Sequence, residues 1–212
     1  MPELTTNRLS VYLRCLDEVA GQGVRTISST GLAQRLDLNA AQIRKDLAHF
    51  GEFGVRGVGY AVEDLRQHLR AILGLDRRHR VVIVGAGNLG LALADYGGFR
   101  SDGFDIVALV DSAPEKIGTR SRGGVPVGDA AELASLVTRE RLDIAVIAVP
   151  PAAAQQVVDQ LVKAGISAIL TFSPAPVRVP EHVRVRRVDL SVQLEGLSYF
   201  LASERDEANA TR

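Results

Sequence analysis

Residues 81–90 read Val-Val-Ile-Val-Gly-Ala-Gly-Asn-Leu-Gly, and no other stretch narrows the fold as far. Four β-branched residues in succession suit a strand buried on both faces, and the G-x-G-x-x-G spacing behind them suits a tight turn from strand into helix. Further apolar runs at 105–110, 143–149, 167–172 and 183–188 alternate with helical segments that include 88–96 and 152–164. Continuous Val/Ile/Ala runs separated by helices predict a parallel sheet covered on both sides, here over residues 79–189.

The glycine turn carries chemistry as well as geometry. Gly85 permits the sharp turn, Gly87 lets backbone N–H groups approach a pyrophosphate, and Gly90 lets helix and strand pack closely. Asn88 and Leu89 open the helix whose N-terminus favours an anion. Asp111, at the end of the next strand about 20 residues on, stands where a carboxylate meets an adenosine ribose and repels a 2′-phosphate. NADH and NAD+ are therefore the expected cofactors. A plain strand-to-helix turn followed by a solvent-facing aspartate is the competing explanation.

Residues 1–78 have a different texture. Leu9, Tyr12, Leu13, Leu16 and Val19 recur at helical spacing behind the capping candidates Thr5 and Thr6. Ser28 and Ser29 offer caps for a short second helix. Asn39 with Gln42 three residues later has the form of a capping box for a third, reaching Phe50. Two helices across a turn at 37–39 give the layout of a helix-turn-helix. The glycine-rich residues 52–60 predict a hairpin and 62–73 a fourth helix, which together describe a winged helix. On the third helix Ile43, Leu47 and Phe50 mark an inner face, so Arg44 and Lys45 point outward, with Gln42 near the helix start. Such side chains reach base edges or phosphates, while Arg56 at the hairpin tip suits an A·T minor groove. Taken singly, each is equally an ordinary solvated cation.

Composition excludes several classes. Lys plus Arg equals Asp plus Glu at 25 each, so no chain-wide charge attracts an anionic partner. The single cysteine, Cys15, rules out an intrachain disulfide and a Cys-based metal site; no metal is expected. The longest uncharged apolar stretch, 81–94, falls short of the ~18 residues of a membrane span, and the first ten residues lack a signal-peptide core. The expectation is a cytoplasmic protein without a membrane partner. His49, His68, His79 and His182 all lie away from the strand ends where a hydride-transfer acid or base sits, so no catalytic residue is expected. Residues 190–202 place Leu190, Leu194, Leu197 and Leu201 on one stripe widened by Val192, Tyr199 and Phe200, too apolar to stand in water unpacked. Two other classes stay open: an NAD-dependent oxidoreductase with an accessory DNA-binding domain, and a module for another adenine nucleotide such as coenzyme A.

The linked order of motifs resembles one family along nearly the whole chain. Gln42-Ile43-Arg44-Lys45-Asp46-Leu47, Phe50-Gly51, Gly54-Val55-Arg56-Gly57-Val58-Gly59-Tyr60, Gly85-x-Gly-x-Leu-Gly, Ala94-Asp95-Tyr96 and Pro114-Glu115-Lys116-x-Gly118 are similar to the Rex family of redox-sensing repressors of bacteria. The resemblance implies an α/β protein with an N-terminal winged helix-turn-helix domain (1–78), a Rossmann-like NAD(H) domain (79–189) and a C-terminal exchange helix with its tail (190–212). It also implies a homodimer on double-stranded operator DNA with an inverted repeat, released by NADH and permitted by NAD+, with no other protein partner. By the same match Arg44, Lys45 and Arg56 contact DNA, while Gln42 is expected to contact the DNA backbone from its place near the helix start. Gly85, Gly87, Asn88, Leu89, Gly90, Asp111, Pro150 and Phe172 hold the cofactor, with residues 171–174 at the nicotinamide end. Arg14, Tyr96 and Asp189 form a polar switch. Where several family members place a phenylalanine against the nicotinamide pocket, this chain has Leu190.

Overall fold

The computed structural model describes the backbone of residues 3–55 and 57–210, and side chains from residue 5 to residue 202 apart from Arg56. The chain divides into two compact units, Met1–Arg77 and Arg78–Arg212.

The first unit opens with helix α1 (Glu3–Gly21), then strand β1 (Thr26–Ile27), helices α2 (Ser29–Leu36) and α3 (Ala40–Ala48), strand β2 (Tyr60–Ala61) and helix α4 (Val62–Ile72). α1 starts at Glu3, so Thr5 and Thr6 sit inside its first turns and are not caps. Its Leu9, Tyr12, Leu13, Leu16 and Val19 join Leu32, Ile43, Leu47, Leu65 and Leu69 from the other helices in one core. α2 begins where Ser28 Oγ accepts from the Gly31 amide at 3.0 Å and ends at Asp37 in the left-handed region (φ 51). α3 follows within three residues, its start fixed by Asn39 Oδ1 accepting from the Ala41 amide at 2.7 Å. β1 and β2 pair antiparallel, Ile27 opposite Tyr60. The hairpin expected over 52–60 is reduced to one bridge, Val55 with Gly59. Gly54, Gly57 and Gly59 all have positive φ there, which interrupts extended pairing. At Gly59 a Cβ would lie 2.6 Å from the Ile27 carbonyl oxygen, so only glycine lets the wing close on β1.

The second unit runs β3 (His79–Val84), α5 (Asn88–Ala94), α6 (Gly97–Ser101), β4 (Phe104–Asp111), β5 (Val127–Asp129), a 3₁₀ turn, α7 (Leu133–Glu140), β6 (Ile144–Ile147), α8 (Pro151–Lys163), β7 (Ala168–Thr171), β8 (Arg184–Arg187) and α9 (Leu190–Ala210). The sheet order is β5-β4-β3-β6-β7-β8, all parallel. Counted within the unit this is 3-2-1-4-5-6, the doubly wound order, whose switch point lies between β3 and β6. Alternation divides the burial: Val82, Val84, Val110, Ala145 and Ile147 face a core completed by α7 and α8, while Val81, Ile83, Leu109 and Val146 face one completed by α5. On α9, Leu190, Val192, Leu194, Leu197, Tyr199, Phe200 and Leu201 are each 55% to 77% exposed. Among the described residues no helix is long and apolar enough to cross a membrane.

Candidate functional site

A cleft of about 880 Å³ opens at the carboxyl ends of β3, β4 and β6, at the switch point of the sheet. Gly85, Gly87, Asn88, Leu89, Asp111, Pro150 and Phe172 all line it. Gly90 does not. A Cβ on Gly90 would fall 1.9 Å from the Gly85 carbonyl oxygen, so its bare backbone is what seats α5 beneath the turn. Gly85 (φ +106) approaches β6 so closely that a Cβ would stand 2.5 Å from the Ala148 oxygen. Gly87, the residue before α5, has open space where a Cβ would be, and the first-turn amides of α5 lie beside it. This cradle of bare backbone fits the pyrophosphate of a dinucleotide.

Asp111 ends β4, and its side chain is only 11% exposed. Oδ2 accepts from the Ala86 amide at 2.7 Å and from Lys116 Nζ at 2.9 Å; Oδ1 accepts from the Ala113 amide at 2.9 Å. Burial pushes the carboxyl up, and these two amides with the Lys116 ammonium outweigh it, so the group lies below the ordinary carboxylate range. Lys116 also lines the cleft. The sequence motif contained it, but nothing in its spacing showed that it would fold back five residues onto Asp111.

In the first unit the outward face of α3 carries Ala41, Arg44, Lys45 and Ala48, all exposed. Arg44 Nη1 donates to Ser29 Oγ at 2.9 Å, which ties it to the start of α2. Lys45 lies in the same exposed row. Arg56 lies outside the described residues. Gln42 does not complete a capping box: its Nε2 donates to Asp46 Oδ1 at 2.7 Å. The i,i+4 reach inward wins because Asp46 is a buried carboxylate. Arg8 donates to it twice, Nε to Oδ2 at 2.6 Å and Nη2 to Oδ1 at 2.8 Å, and the Tyr12 hydroxyl donates to Oδ2 at 2.8 Å. The Arg8 guanidinium, followed by the Tyr12 and Gln42 donors, overcomes burial and pulls the Asp46 carboxyl down to about 2. Burial and the Asp46 carboxylate push the Tyr12 hydroxyl up. This cluster clamps the inner face of α3 to α1. The signal for it was Arg8 and Tyr12 at i,i+4 on α1 and Asp46 between two core residues of α3.

Of the three residues implied as a switch, Arg14 is exposed on α1 in the first unit, and Tyr96 and Asp189 belong to the second. Tyr96 is 59% exposed and packs edge-to-face on Phe99, ring centroids 5.0 Å apart. Asp189 Oδ1 accepts from the Ser191 amide at 3.0 Å in the first turn of α9. Among the described residues no hydrogen bond joins Tyr96 and Asp189.

Comparison with known proteins places both units. A family model described as "CoA binding domain" matches residues 76–175, and one described as "Putative DNA-binding protein N-terminus" matches residues 1–48. The chain is 47% identical over 205 residues to the redox-sensing transcriptional repressor Rex of Desulfitobacterium hafniense, covering 97% of each chain. It is 50% identical over 202 residues to the protein of that name from Syntrophomonas wolfei, covering 95% of this chain and 96% of the other. Among solved structures it is similar to RSP, a Rex-family repressor (TM-score 0.91, 37% identity, 100% and 99% of the two chains). It is also similar to RSP in complex with β-NAD+ and operator DNA (TM-score 0.92, 38%, 100% and 97%) and to RSP in complex with β-NADH (TM-score 0.88, 37%, 99% and 98%). With a doubly wound cleft, a helix-turn-helix with a wing, and relatives at this identity over nearly the full length, this chain belongs to the Rex family of redox-sensing transcriptional repressors.

Proposed function

We propose that this chain binds operator DNA as a homodimer and leaves it when NADH occupies the cleft, so that the NADH/NAD+ ratio sets repression. The observation that carries the reading is the cleft itself: bare backbone at Gly85 and Gly87 and a half-buried carboxylate at Asp111, together at the switch point of a sheet. In this reading Gly85, Gly87, Asn88, Leu89 and Gly90 shape the pyrophosphate cradle, Asp111 accepts from the adenosine ribose, and Pro150 and Phe172 bound the nicotinamide end. NADH and NAD+ differ at the ring, so Phe172 and Pro150 stand where a difference in affinity arises.

Residues 1–78 form the DNA-binding part, 79–189 the cofactor part and 190–212 the dimer helix with its tail. Arg44, Lys45 and Arg56 face DNA. Gln42 donates one amide N–H to Asp46 and so braces α3, which leaves its carbonyl oxygen and second N–H for the nucleic acid. The apolar stripe of α9 supports burial against a second copy, because so much exposed hydrocarbon on a single helix favours association. Arg14, Tyr96 and Asp189 couple the sites: Asp189 exchanges one partner for another as cofactor binds, and only such a difference between states transmits a signal. A repressor of this kind works in the cytoplasm.

Coenzyme A is the rival ligand raised by the model match over 76–175. The oxidoreductase alternative gains nothing from relatives that are named repressors. The deciding experiment titrates operator binding with NADH at fixed NAD+, with NADPH and coenzyme A in parallel. Release by NADH at the lowest concentration is expected. Operator binding indifferent to NADH, or release by coenzyme A alone, overturns the reading.

A further inference from the structure

Asp111 is the residue by which a doubly wound cleft ordinarily selects NAD(H), because a carboxylate accepts from both ribose hydroxyls and repels a 2′-phosphate. Here that carboxylate is largely committed. A carboxylate offers about four acceptor sites, two on each oxygen. On Asp111, Oδ2 is filled by the Ala86 amide and Lys116 Nζ, and one site of Oδ1 by the Ala113 amide. One acceptor site remains, on Oδ1. A second ribose hydroxyl must find its partner elsewhere.

One polar group already held against that carboxylate is Lys116 itself. Its Nζ is held 2.9 Å from Asp111 Oδ2, its side chain is 38% exposed, and it lines the same cleft. Among the described residues lining the cleft, Lys116 is the one cation. The other charged lining residue, Asp129, pairs with Asp111 in register across β4 and β5 and accepts from the Ala131 amide at 2.8 Å. The adenosine end thus holds two carboxylates and one ammonium. An ammonium has three donors, and one is used on Asp111. Another aimed at the ribose meets a hydroxyl oxygen as a donor and a 2′-phosphate as a countercharge.

We infer that Lys116 is a specificity-determining residue of the cofactor cleft: it shares the ribose with Asp111 and lowers the barrier against a 2′-phosphate, so the site excludes NADP(H) less firmly than its aspartate alone does. This rests on the reading of the cleft as an NAD(H) site. Removing the ammonium while keeping the stem returns one acceptor site to Asp111 and leaves two carboxylates facing the phosphate.

The test measures NADH and NADPH dissociation constants for the full-length chain and for Lys116→Met and Lys116→Arg, by titration calorimetry at two salt concentrations. In Lys116→Met NADPH is expected to weaken by about tenfold, the scale of one lost charge-assisted contact, and NADH by clearly less, because the acceptor site returned to Asp111 takes up the ribose hydroxyl that Lys116 held. Lys116→Arg keeps the cation and is expected to hold the parental preference or narrow it. Parental NADPH binding should weaken with salt more steeply than NADH binding, and Lys116→Met should lose that difference. If both cofactors weaken equally in Lys116→Met, Lys116 serves only to hold Asp111 and the inference falls, while the cofactor assignment stands. If the parent binds neither dinucleotide, the assignment itself falls and takes the inference with it.

Discussion

Asp46 and Asp111 are both aspartates drawn out of bulk water and held in their charged form, yet they differ in one respect that separates framework from function. Asp46 receives four donors, two from Arg8 and one each from Tyr12 and Gln42, on a side chain 4% exposed. Nothing is left for a ligand, and the group ties two helices together. Asp111 receives three donors and lines a cleft. A filled carboxylate builds, and a partly filled one binds. The glycines divide the same way: Gly90 meets the Gly85 oxygen and serves packing, whereas Gly87 meets nothing and serves approach.

The comparison breaks first at Asp46. Asp46→Ala leaves the Arg8 charge and the Tyr12 hydroxyl without their shared acceptor, and a loss of about 3 kcal/mol is expected in chemical denaturation of the full chain. Asp111→Ala should cost about 1 kcal/mol in the same assay, because the carboxylate lines an open cleft and Lys116 is part-exposed, so water can reach the freed donors even though Ala86 itself is buried. Equal losses at the two positions erase the distinction.

Gly90→Ala should destabilise by about 2 kcal/mol, since backbone must move to admit the methyl group. Gly87→Ala should stay within about 0.5 kcal/mol of the parent, its φ of −83° suiting any residue. Its NADH affinity should nonetheless fall by about tenfold as the methyl group holds the pyrophosphate off. Thermal melts with and without NADH separate the two effects. A Gly87→Ala protein that unfolds early and binds normally would reverse the assignment.

Acid offers a third handle. The Asp46 carboxyl falls from an ordinary 3.8 to about 2 on folding. A depressed folded value means the stabilisation is present above pH 4 and is lost as pH drops toward 2; about 2 kcal/mol is at stake. Asp46→Asn should lack this component, which urea denaturation of both proteins across pH 2 to 5 reads directly. Gln42→Ala removes one of the four donors to Asp46 and should cost about 1 kcal/mol. Its operator affinity should then follow that loss of order in α3 without a change in base preference, as a panel of operator variants would reveal.

How much of this was legible beforehand depends on range along the chain. The strand, glycine turn and helix at 81–94 stand next to one another in sequence, and local chemistry fixed them. The same is true of the caps Ser28 and Asn39. β5 escaped notice because Val127–Asp129 is three residues with a glycine at its centre, and pairing with β4 makes it a strand. The Asp46 cluster joins residues 34 and 38 positions apart, a separation no window of periodicity spans. Gln42 shows the cost of local reasoning: three residues after Asn39 it matched a capping box, and the buried carboxylate four residues on claimed it instead. Lys116 stood in a recognised motif without a role, because its partner lies across a turn whose path spacing alone does not give.

The two margins of the sheet carry a consequence of another kind. An uncovered strand edge is a template on which any passing chain can add a strand. At one margin β5 is short, and its outer side is already taken: the Gly118 amide donates to the Val127 oxygen and the Val127 amide to the Thr119 oxygen, both at 2.9 Å. At the other, β8 reads Arg-Val-Arg-Arg, so a second copy laid along it would set like charges against one another. Growth of the sheet from molecule to molecule is blocked by a returning loop on one side and by repulsion on the other. Addition of a strand from another copy of this chain is therefore disfavoured at both margins of the sheet.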